Sequence, residues 1–251
     1  MSGHSKWSTI KRAKGAADAK RGLTFTKLGN AITIAAKLGN SGDPESNPRL
    51  RMALEEARSV NMPKENIQRA IDRGLGNLPG QTLEEVTYEG FGPGKAAFLV
   101  EAVTDNKLRT LAEMKNLFDR SGGGLGGNGS TAYMFKKTGE IKAASKGGDS
   151  QDEVLEIIDG GAEDVEEFDE NGSLKYLVYT DPTSYSQVLS YLKEHGFTIE
   201  SSGVIMKPIM LTEITDKDKA EKVLNFTERL EDHDDVQKVY ANFDIADDLL
   251  D

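Results

Sequence analysis

Three short amphipathic helices are predicted between residues 23 and 76. In each of them apolar residues recur at three- and four-residue steps, so that they share one face of the helix. The first helix ends at Gly39. Its apolar face consists of Phe25, Leu28, Ile32, Ala35 and Ala36. The pattern indicates a helical bundle that buries these faces and leaves its basic residues on the outside.

The second and third helices have recognisable ends. Asn47 is a favourable N-cap for the second helix, and Pro48 suits its first helical position. The apolar stripe of this helix consists of Leu50, Ala53, Leu54, Ala57 and Val60. The third helix starts at Pro63, and Gly74 is expected to close it in a left-handed conformation. Its buried residues are expected to be Ile67, Ala70 and Ile71.

After the break LGNLPGQ, the period of the pattern changes. EEVTYEGFG and AAFLVEAVT predict strands, because they are rich in β-branched and aromatic residues and are bounded by glycine or proline. TDNKLRTLAEMKNLFDR predicts a helix that Asp105 or Asn106 caps. The buried side of this helix is expected to hold Leu108, Leu111, Met114, Leu117 and Phe118. STAYMFKK predicts another strand.

From residue 138 onward the pattern forms a self-contained unit. GEIKAA, EDVEEFD, SLKYLVYT and FTIESSGVIMK predict strands, while QDEVLEIIDGG and PTSYSQVLSYLKEHG predict helices. Their order is βαββαβ, which is the split βαβ arrangement of ferredoxin-like folds. Because this unit closes on itself, the earlier strands need other partners. PIMLTEIT, DKDKAEKVLNFTERLEDHD and VQKVYANF offer a strand, a helix and a strand.

The chain is therefore predicted to be an α+β protein, in which an N-terminal three-helix bundle is followed by two ferredoxin-like α/β sandwich domains, one inserted into the other. Residues 1–78 form the basic helical domain, and residues 79–137 with 208–251 form a discontinuous α/β domain. Residues 138–207 form the inserted acidic domain.

Charge is distributed unevenly along the chain, whose formal net charge is −11. Residues 1–76 hold 14 basic and 7 acidic side chains, residues 77–138 hold 7 of each, and residues 139–251 hold 10 basic and 28 acidic ones. The first 22 residues contain six basic residues, one acid and the only tryptophan. Since lysine and arginine runs attract phosphates, this basic head favours a polyanionic partner. The alternative is a solvated basic face or a loose tail.

Thirteen residues are candidates for nucleic-acid contacts. They are Lys6, Trp7, Lys11, Arg12, Lys14, Lys20, Arg21, Lys27, Arg49, Arg51, Lys64, Arg69 and Arg73. Trp7 either stacks on a base or pins the arm to the bundle. The third helix is suited to duplex DNA, whereas a flexible arm and a glycine-rich loop suit ribosomal or transfer RNA. In a third hypothesis, the acidic α/β domains bind only proteins.

Catalytic and metal motifs give no candidate. The chain has no cysteine, and His4, His195 and His233 form no H-x-x-x-H pair. SGGGLGGNGS contains G-x-G-x-x-G starting at Gly122 and at Gly124, but it follows a predicted helix and leads into a strand. This indicates a flexible connection, and the role of residues 122–129 stays open. The acidic run 163–167 is interpreted as a solvated face. We therefore expect no enzyme, metal or cofactor, and no membrane span in a cytoplasmic protein.

Several sequence blocks resemble those of the YebC family of bacterial proteins, whose eukaryotic relatives are mitochondrial translational activators. The blocks are GHSKW, DAKRG, FTKL, NPRLR, NMPKENI and RAI, followed by YEGFGPG, VEAVTDN and NGS. The resemblance covers most of the chain and implies three domains, helical and then α/β. It implies a DNA-binding transcriptional regulator, with a ribosome-associated translation factor or translational activator that binds rRNA or tRNA as the alternative.

Overall fold

The computed structural model describes residues 17–80, 82–170, 172–246 and 249. The chain is an α+β protein whose described residues form two compact units. The first unit contains the described residues of 17–132 together with Ile214–Ala241. The second contains those of Tyr133–Glu213 together with residues 242–246. The division into three domains at residues 78, 138 and 207 remains a prediction.

The described elements are named in chain order. The helices are α1 (Ala17–Gly39), α2 (Pro48–Ser59), α3 (Lys64–Gly74), α4 (Lys107–Arg120), α5 (Ser150–Asp159), α6 (Tyr185–Glu194) and α7 (Lys217–Glu231). The strands are β1 (Glu84–Phe91), β2 (Ala97–Thr104), β3 (Gly124–Leu125), β4 (Phe135–Ala144), β5 (Asp164–Glu170), β6 (Ser173–Thr180), β7 (Thr198–Pro208), β8 (Thr212–Ile214), β9 (Val236–Ala241) and β10 (Phe243–Ile245).

Helices α1, α2 and α3 bury the apolar faces that the sequence predicts. Their shared core includes Leu28, Ile32, Leu50, Leu54 and Ile71, with Phe25 and Ile67 packed against it. Asn47 caps α2, as predicted, because its side-chain oxygen accepts a hydrogen bond from the Leu50 N–H (3.1 Å). Its amide also donates to the Ala35 carbonyl (2.8 Å), which ties α2 to α1.

Three details of the bundle differ from the prediction. Helix α1 includes residues 20 and 21, so Lys20 and Arg21 belong to a helix rather than to the arm. Val60 follows α2 and is exposed. Gly74 is helical, and the left-handed residue is Gly76 (φ 76°). The reason for a glycine at position 74 is close packing, since a Cβ there would lie 2.4 Å from the Thr33 carbonyl oxygen of α1.

The sheet of the first unit joins two distant stretches of the chain. Its strand order is β3-β1-β2-β9, and every neighbouring pair is antiparallel. On one face of the sheet, Phe98 of β2, Phe118 of α4 and Phe226 of α7 pack edge to face. On the other face, Ile34 of α1 packs with Leu83 and Val103. The helical bundle and the sheet therefore form one packed unit.

Helix α4 shows a second difference from the sequence prediction. Asn106 caps it, and Met114 and Phe118 are buried as expected. Leu108 and Leu111 are 80% and 43% exposed, however, and Thr110 takes the buried position instead. Thr110 lies there because its hydroxyl bonds to the buried Thr104 (2.8 Å) and to the Asp235 carboxylate (2.6 Å).

The second unit has the predicted βαββαβ order. Its sheet runs β5-β6-β4-β7 with antiparallel neighbours throughout, and α5 and α6 pack on one face. The core beneath the helices includes Ile141, Ile157, Tyr176, Val188 and Leu192. This topology is the ferredoxin-like arrangement.

Two predicted strands are placed differently in the structure. STAYMFKK and GEIKAA do not form separate strands, because β7 is long enough to pair with one continuous β4 from Phe135 to Ala144. Residues 132–134 form a 3-10 turn before β4. PIMLTEIT contributes only β8, which pairs with β10 rather than joining β1 and β2.

The glycine-rich run 122–129 is held by a buried carboxylate. Gly124 and Leu125 pair with β1, and Glu89 of β1 accepts hydrogen bonds from the backbone N–H groups of Gly129, Thr131 and Ala132 (2.7–2.8 Å). Burial raises the pKa of Glu89, but these donors outweigh it and hold the pKa below its ordinary value. The expected flexible connection is thus an anchored loop.

Replacing Glu89 by glutamine should lower the free energy of unfolding by about 1–3 kcal/mol at neutral pH, because three backbone N–H donors lose their charged, buried acceptor. A lowered folded-state pKa stabilises the protein above the unfolded-state value and is lost as the pH falls through the folded-state value. Urea denaturation should therefore show the gap between wild type and Glu89→Gln shrinking below about pH 4.3. Glu101→Gln, on the same sheet, is the control. A gap that is independent of pH would contradict this account.

Deleting residues 135–208 should leave the first unit folded. The Ile209 N–H donates to the Met134 carbonyl (2.9 Å), so a short Gly/Ser linker can join the two cut ends. We expect a cooperative thermal melt by circular dichroism, because the Phe98, Phe118 and Phe226 cluster and the β2-β9 pairing remain intact. A molten, aggregating product would count against the predicted insertion of residues 138–207.

Candidate nucleic-acid interface

The structure describes only part of the predicted interface. Lys6, Trp7, Lys11, Arg12 and Lys14 lie outside the described residues. Lys20 and Arg21 fall in α1, where only their backbone is described. The remaining candidates are Lys27, Arg49, Arg51, Lys64, Arg69 and Arg73. All six belong to the helical bundle.

Helix α3 exposes three of the candidate cations. Ala70 and Ile71 face the core, which turns Lys64, Arg69 and Arg73 toward solvent. Arg69 and Arg73 are four residues apart and therefore lie on the same side of the helix. Within the described part of the chain, none of these three cations has an ion-pair partner. They are available for an external anion.

The position of α3 is fixed by α1. The Thr33 hydroxyl of α1 donates to the Ala70 carbonyl of α3 (3.0 Å), and Gly74 lets the two backbones approach closely. In the middle of α3, Gln68 is exposed and donates to Asp72 (3.1 Å). The cationic side of α3 is therefore held in a fixed position, which a surface that recognises a partner of regular structure requires.

Arg49 and Arg51 of α2 are partly neutralised. Arg49 forms an ion pair with Glu85, and the two side chains are 51% and 46% exposed. Arg51 lies 4.0 Å from Glu45, which is also exposed. Exposed pairs of this kind contribute little to stability, so an incoming phosphate can compete with either carboxylate.

Lys27 has a role inside the fold instead. Its ammonium group donates to the Glu231 carbonyl (2.5 Å) at the C-terminal end of α7. A cation at this end of a helix also interacts favourably with the helix dipole. Lys27 therefore connects α1 to α7, and it differs from the solvent-facing cations of α3.

One cluster of metal-ligand residue types was missed by the sequence analysis. Glu113, His233 and Asp235 place a ligand atom each within 4.8 Å of the others. Their atoms are already engaged, because His233 Nε2 bonds Glu113 (3.0 Å) and His233 Nδ1 accepts from the Asp235 N–H (3.1 Å). The Asp235 carboxylate accepts from Thr110 and Arg109. We interpret the cluster as a hydrogen-bond network between α4 and the start of β9.

The predicted acidic run on β5 is also engaged. Glu163 pairs with Lys136 (3.1 Å), while Asp164 and Glu166 lie 3.5 and 3.4 Å from Lys207. Glu163, Asp164 and Glu167 are exposed, as the predicted solvated face requires, and lysines of β4 and β7 pair with part of the run at the surface.

No helix among the described residues is long and apolar enough to cross a membrane.

Family models for the TACO1/YebC proteins match almost the whole chain. The model of the N-terminal domain matches residues 5–77, and the model of the second and third domain matches residues 83–243.

Close relatives carry the name "Probable transcriptional regulatory protein". One from Dictyoglomus turgidum is 51% identical over 251 residues, covering 100% of this chain and 98% of the relative. One from Geotalea uraniireducens is 49% identical, covering 100% of this chain and 99% of the relative. The crystal structure of a conserved hypothetical protein from Aquifex aeolicus matches with a TM-score of 0.83 and 41% identity. It covers 95% of this chain and 96% of that one.

Substitutions in the bundle should separate binding cations from structural ones. Arg69→Ala and Arg73→Ala should each weaken binding to duplex DNA and reduce the salt slope of log K by about one unit, with little change in melting temperature. Lys27→Ala should lower the melting temperature and leave the salt slope unchanged, because its bond is internal. Salt-series fluorescence anisotropy and thermal melts measure both effects. A reduced salt slope for Lys27→Ala, or a lower melting temperature with an unchanged slope for the arginine variants, would contradict this assignment.

Proposed function

Because this chain belongs to the TACO1/YebC family, we propose that it is a nucleic-acid-binding regulator of gene expression that acts on DNA. The single observation that carries the proposal is the cationic side of α3, where Arg69 and Arg73 face solvent without an ion-pair partner in the described chain. The names of the relatives support regulation of transcription.

Two groups of basic residues contact the phosphates in this proposal. The bundle carries an ordered group, and the N-terminal head carries a second one. The ordered group consists of Arg49, Arg51, Lys64, Arg69 and Arg73. The head group consists of Lys6, Lys11, Arg12, Lys14, Lys20 and Arg21, with Trp7 beside them. Each phosphate that a cation neutralises releases condensed counterions, and this release drives binding.

Helix α3 is the element that we propose for the groove of the duplex. Its exposed residues include long hydrogen-bond donors, and Gln68 is one whose present partner, Asp72, lies on the same helix. An exposed glutamine on a helix in the major groove can pair with adenine, while arginines contact guanine or phosphate. The packing of α3 on α1 gives it a fixed orientation for this purpose.

The acidic second unit sets the orientation of the chain on DNA. Residues 138–207 hold five lysines and fifteen acidic residues. A surface with this excess of carboxylates is repelled by phosphates, so the nucleic acid approaches the basic bundle only. The acidic unit then remains accessible to protein partners.

Reversing Lys11, Arg12 and Lys14 to glutamate tests the proposal. With about five phosphate contacts on duplex DNA, log K should fall against log salt with a slope of about −4 to −5. The triple reversal should flatten that slope by about three units. The matched control is the reversal of Lys217, Lys219 and Lys222, which are exposed on α7 and change the net charge equally.

The control should keep most of the slope of the wild-type protein, because α7 lies outside the proposed interface. The same two triple variants should also be tested for binding to ribosomes. The translation alternative expects the head reversal to weaken ribosome binding rather than DNA binding. If the head reversal changes neither affinity nor slope on DNA, the basic head is not the DNA-binding surface and the proposal fails.

A further inference from the structure

Helix α5 of the second unit exposes an apolar surface that the fold does not use. Leu155 and Ile158 are 62% and 41% exposed, although the opposite side of α5 buries Ile157 completely. The two residues are three apart, so they lie together on the outer side of the helix. Covering aliphatic side chains of this size with a partner removes apolar surface from water, which favours binding.

Two acidic residues flank this apolar pair. Asp152 and Asp159 are exposed, and at positions three before and four after Leu155 they share its side of α5. They are seven residues apart, so about 10 Å separates them along the helix axis. We name Asp152, Leu155, Ile158 and Asp159 the α5 surface.

No ion pair neutralises the carboxylates of the α5 surface within the described chain. Of the five lysines between residues 138 and 207, four form ion pairs with other carboxylates, and one of these, Lys146, pairs with Glu156 on α5. They are Lys142, Lys146, Lys175 and Lys207. Within the described chain, neither Asp152 nor Asp159 has an ion-pair partner. A partner that carries positive charge would therefore be complementary to this surface.

The position of Asp159 is unfavourable for the helix itself. Asp159 is the last residue of α5, and the last turn contains no basic residue. A carboxylate there faces the negative end of the helix dipole, where a cation would be stabilising. The sequence thus keeps an acidic residue where local stability disfavours it, and this points to a role for its charge.

From the exposed aliphatic pair, the unneutralised carboxylates and the misplaced Asp159, we infer that the α5 surface docks a basic amphipathic segment of another protein. The segment places aliphatic side chains on Leu155 and Ile158 and two cationic groups, about 10 Å apart, on Asp152 and Asp159. Nucleic acid cannot take this position, because its phosphates would meet carboxylates. The inference is independent of the DNA proposal.

A peptide titration of the full-length chain tests the inference. The probe is a synthetic helical peptide built from leucine and lysine, and its matched control carries glutamate in place of every lysine. Amide correlation spectra should show shifts concentrated on α5 with the lysine peptide and none with the glutamate peptide. Leu155→Ser combined with Ile158→Ser should weaken binding about tenfold, because the apolar contact is lost.

Matched variants separate docking from general charge attraction. Ile209→Ser with Met210→Ser removes an equally exposed apolar pair in the same unit and should leave binding unchanged. Asp152→Asn with Asp159→Asn should weaken binding and its salt dependence while the melting temperature changes little, because a favourable charge in the first turn of α5 and an unfavourable charge in its last turn are removed together.

Three results would overturn the inference. Amide shifts spread over the acidic residues of β5 would mean that charge alone attracts the peptide. An equal loss of peptide binding in both apolar double variants would show that the apolar pair of α5 has no specific role. A wild-type dimer in analytical ultracentrifugation that Leu155→Ser with Ile158→Ser converts to a monomer would assign the surface to a second copy of the chain.

Discussion

The contact of three phenylalanines holds the first unit together. Phe98 and Phe118 come from the chain before the second unit, while Phe226 comes from the chain after it, and its ring centroid lies 5.0 Å from each of the other two. Two glycines of YEGFGPG leave room for them. A Cβ at Gly90 would lie 2.7 Å from Phe118, and one at Gly92 would lie 2.6 Å from Phe98. The motif is therefore explained by packing, and the sheet that supports the bundle depends on it.

The same sheet positions the basic part of the protein. Its other face packs against α1 through Leu83 and Val103, and Lys37 of α1 donates to the Leu83 carbonyl (2.8 Å). Lys27 adds a bond to the end of α7. These lysines are used inside the fold, which leaves the arginines of α2 and the cations of α3 as the described candidates for phosphate contact. Net charge along the sequence could not separate these two roles, because each requires only a positive side chain.

Local sequence patterns predicted burial reliably where neighbours along the chain decide which side chain is buried. The faces of α1 and α2 and the caps Asn47 and Asn106 followed from spacing and residue type. Prediction failed where a residue far away in the sequence decides which side chain is buried. Leu108 and Leu111 fit a buried stripe on α4, but Thr110 is buried because Asp235, 125 residues away, accepts its hydrogen bond. The glycine-rich run is another example, because Glu89 accepts a hydrogen bond from Gly129, 40 residues away in the sequence.

The central claim is that nucleic acid contacts the basic bundle and its head and avoids the acidic unit. Ultraviolet crosslinking in cells, followed by mass spectrometry of the crosslinked peptides and sequencing of the attached nucleic acid, tests it most directly. The account predicts crosslinked peptides from residues 1–76, attached to DNA, and none from residues 139–207. Crosslinks confined to the acidic unit, or to RNA alone, would contradict it.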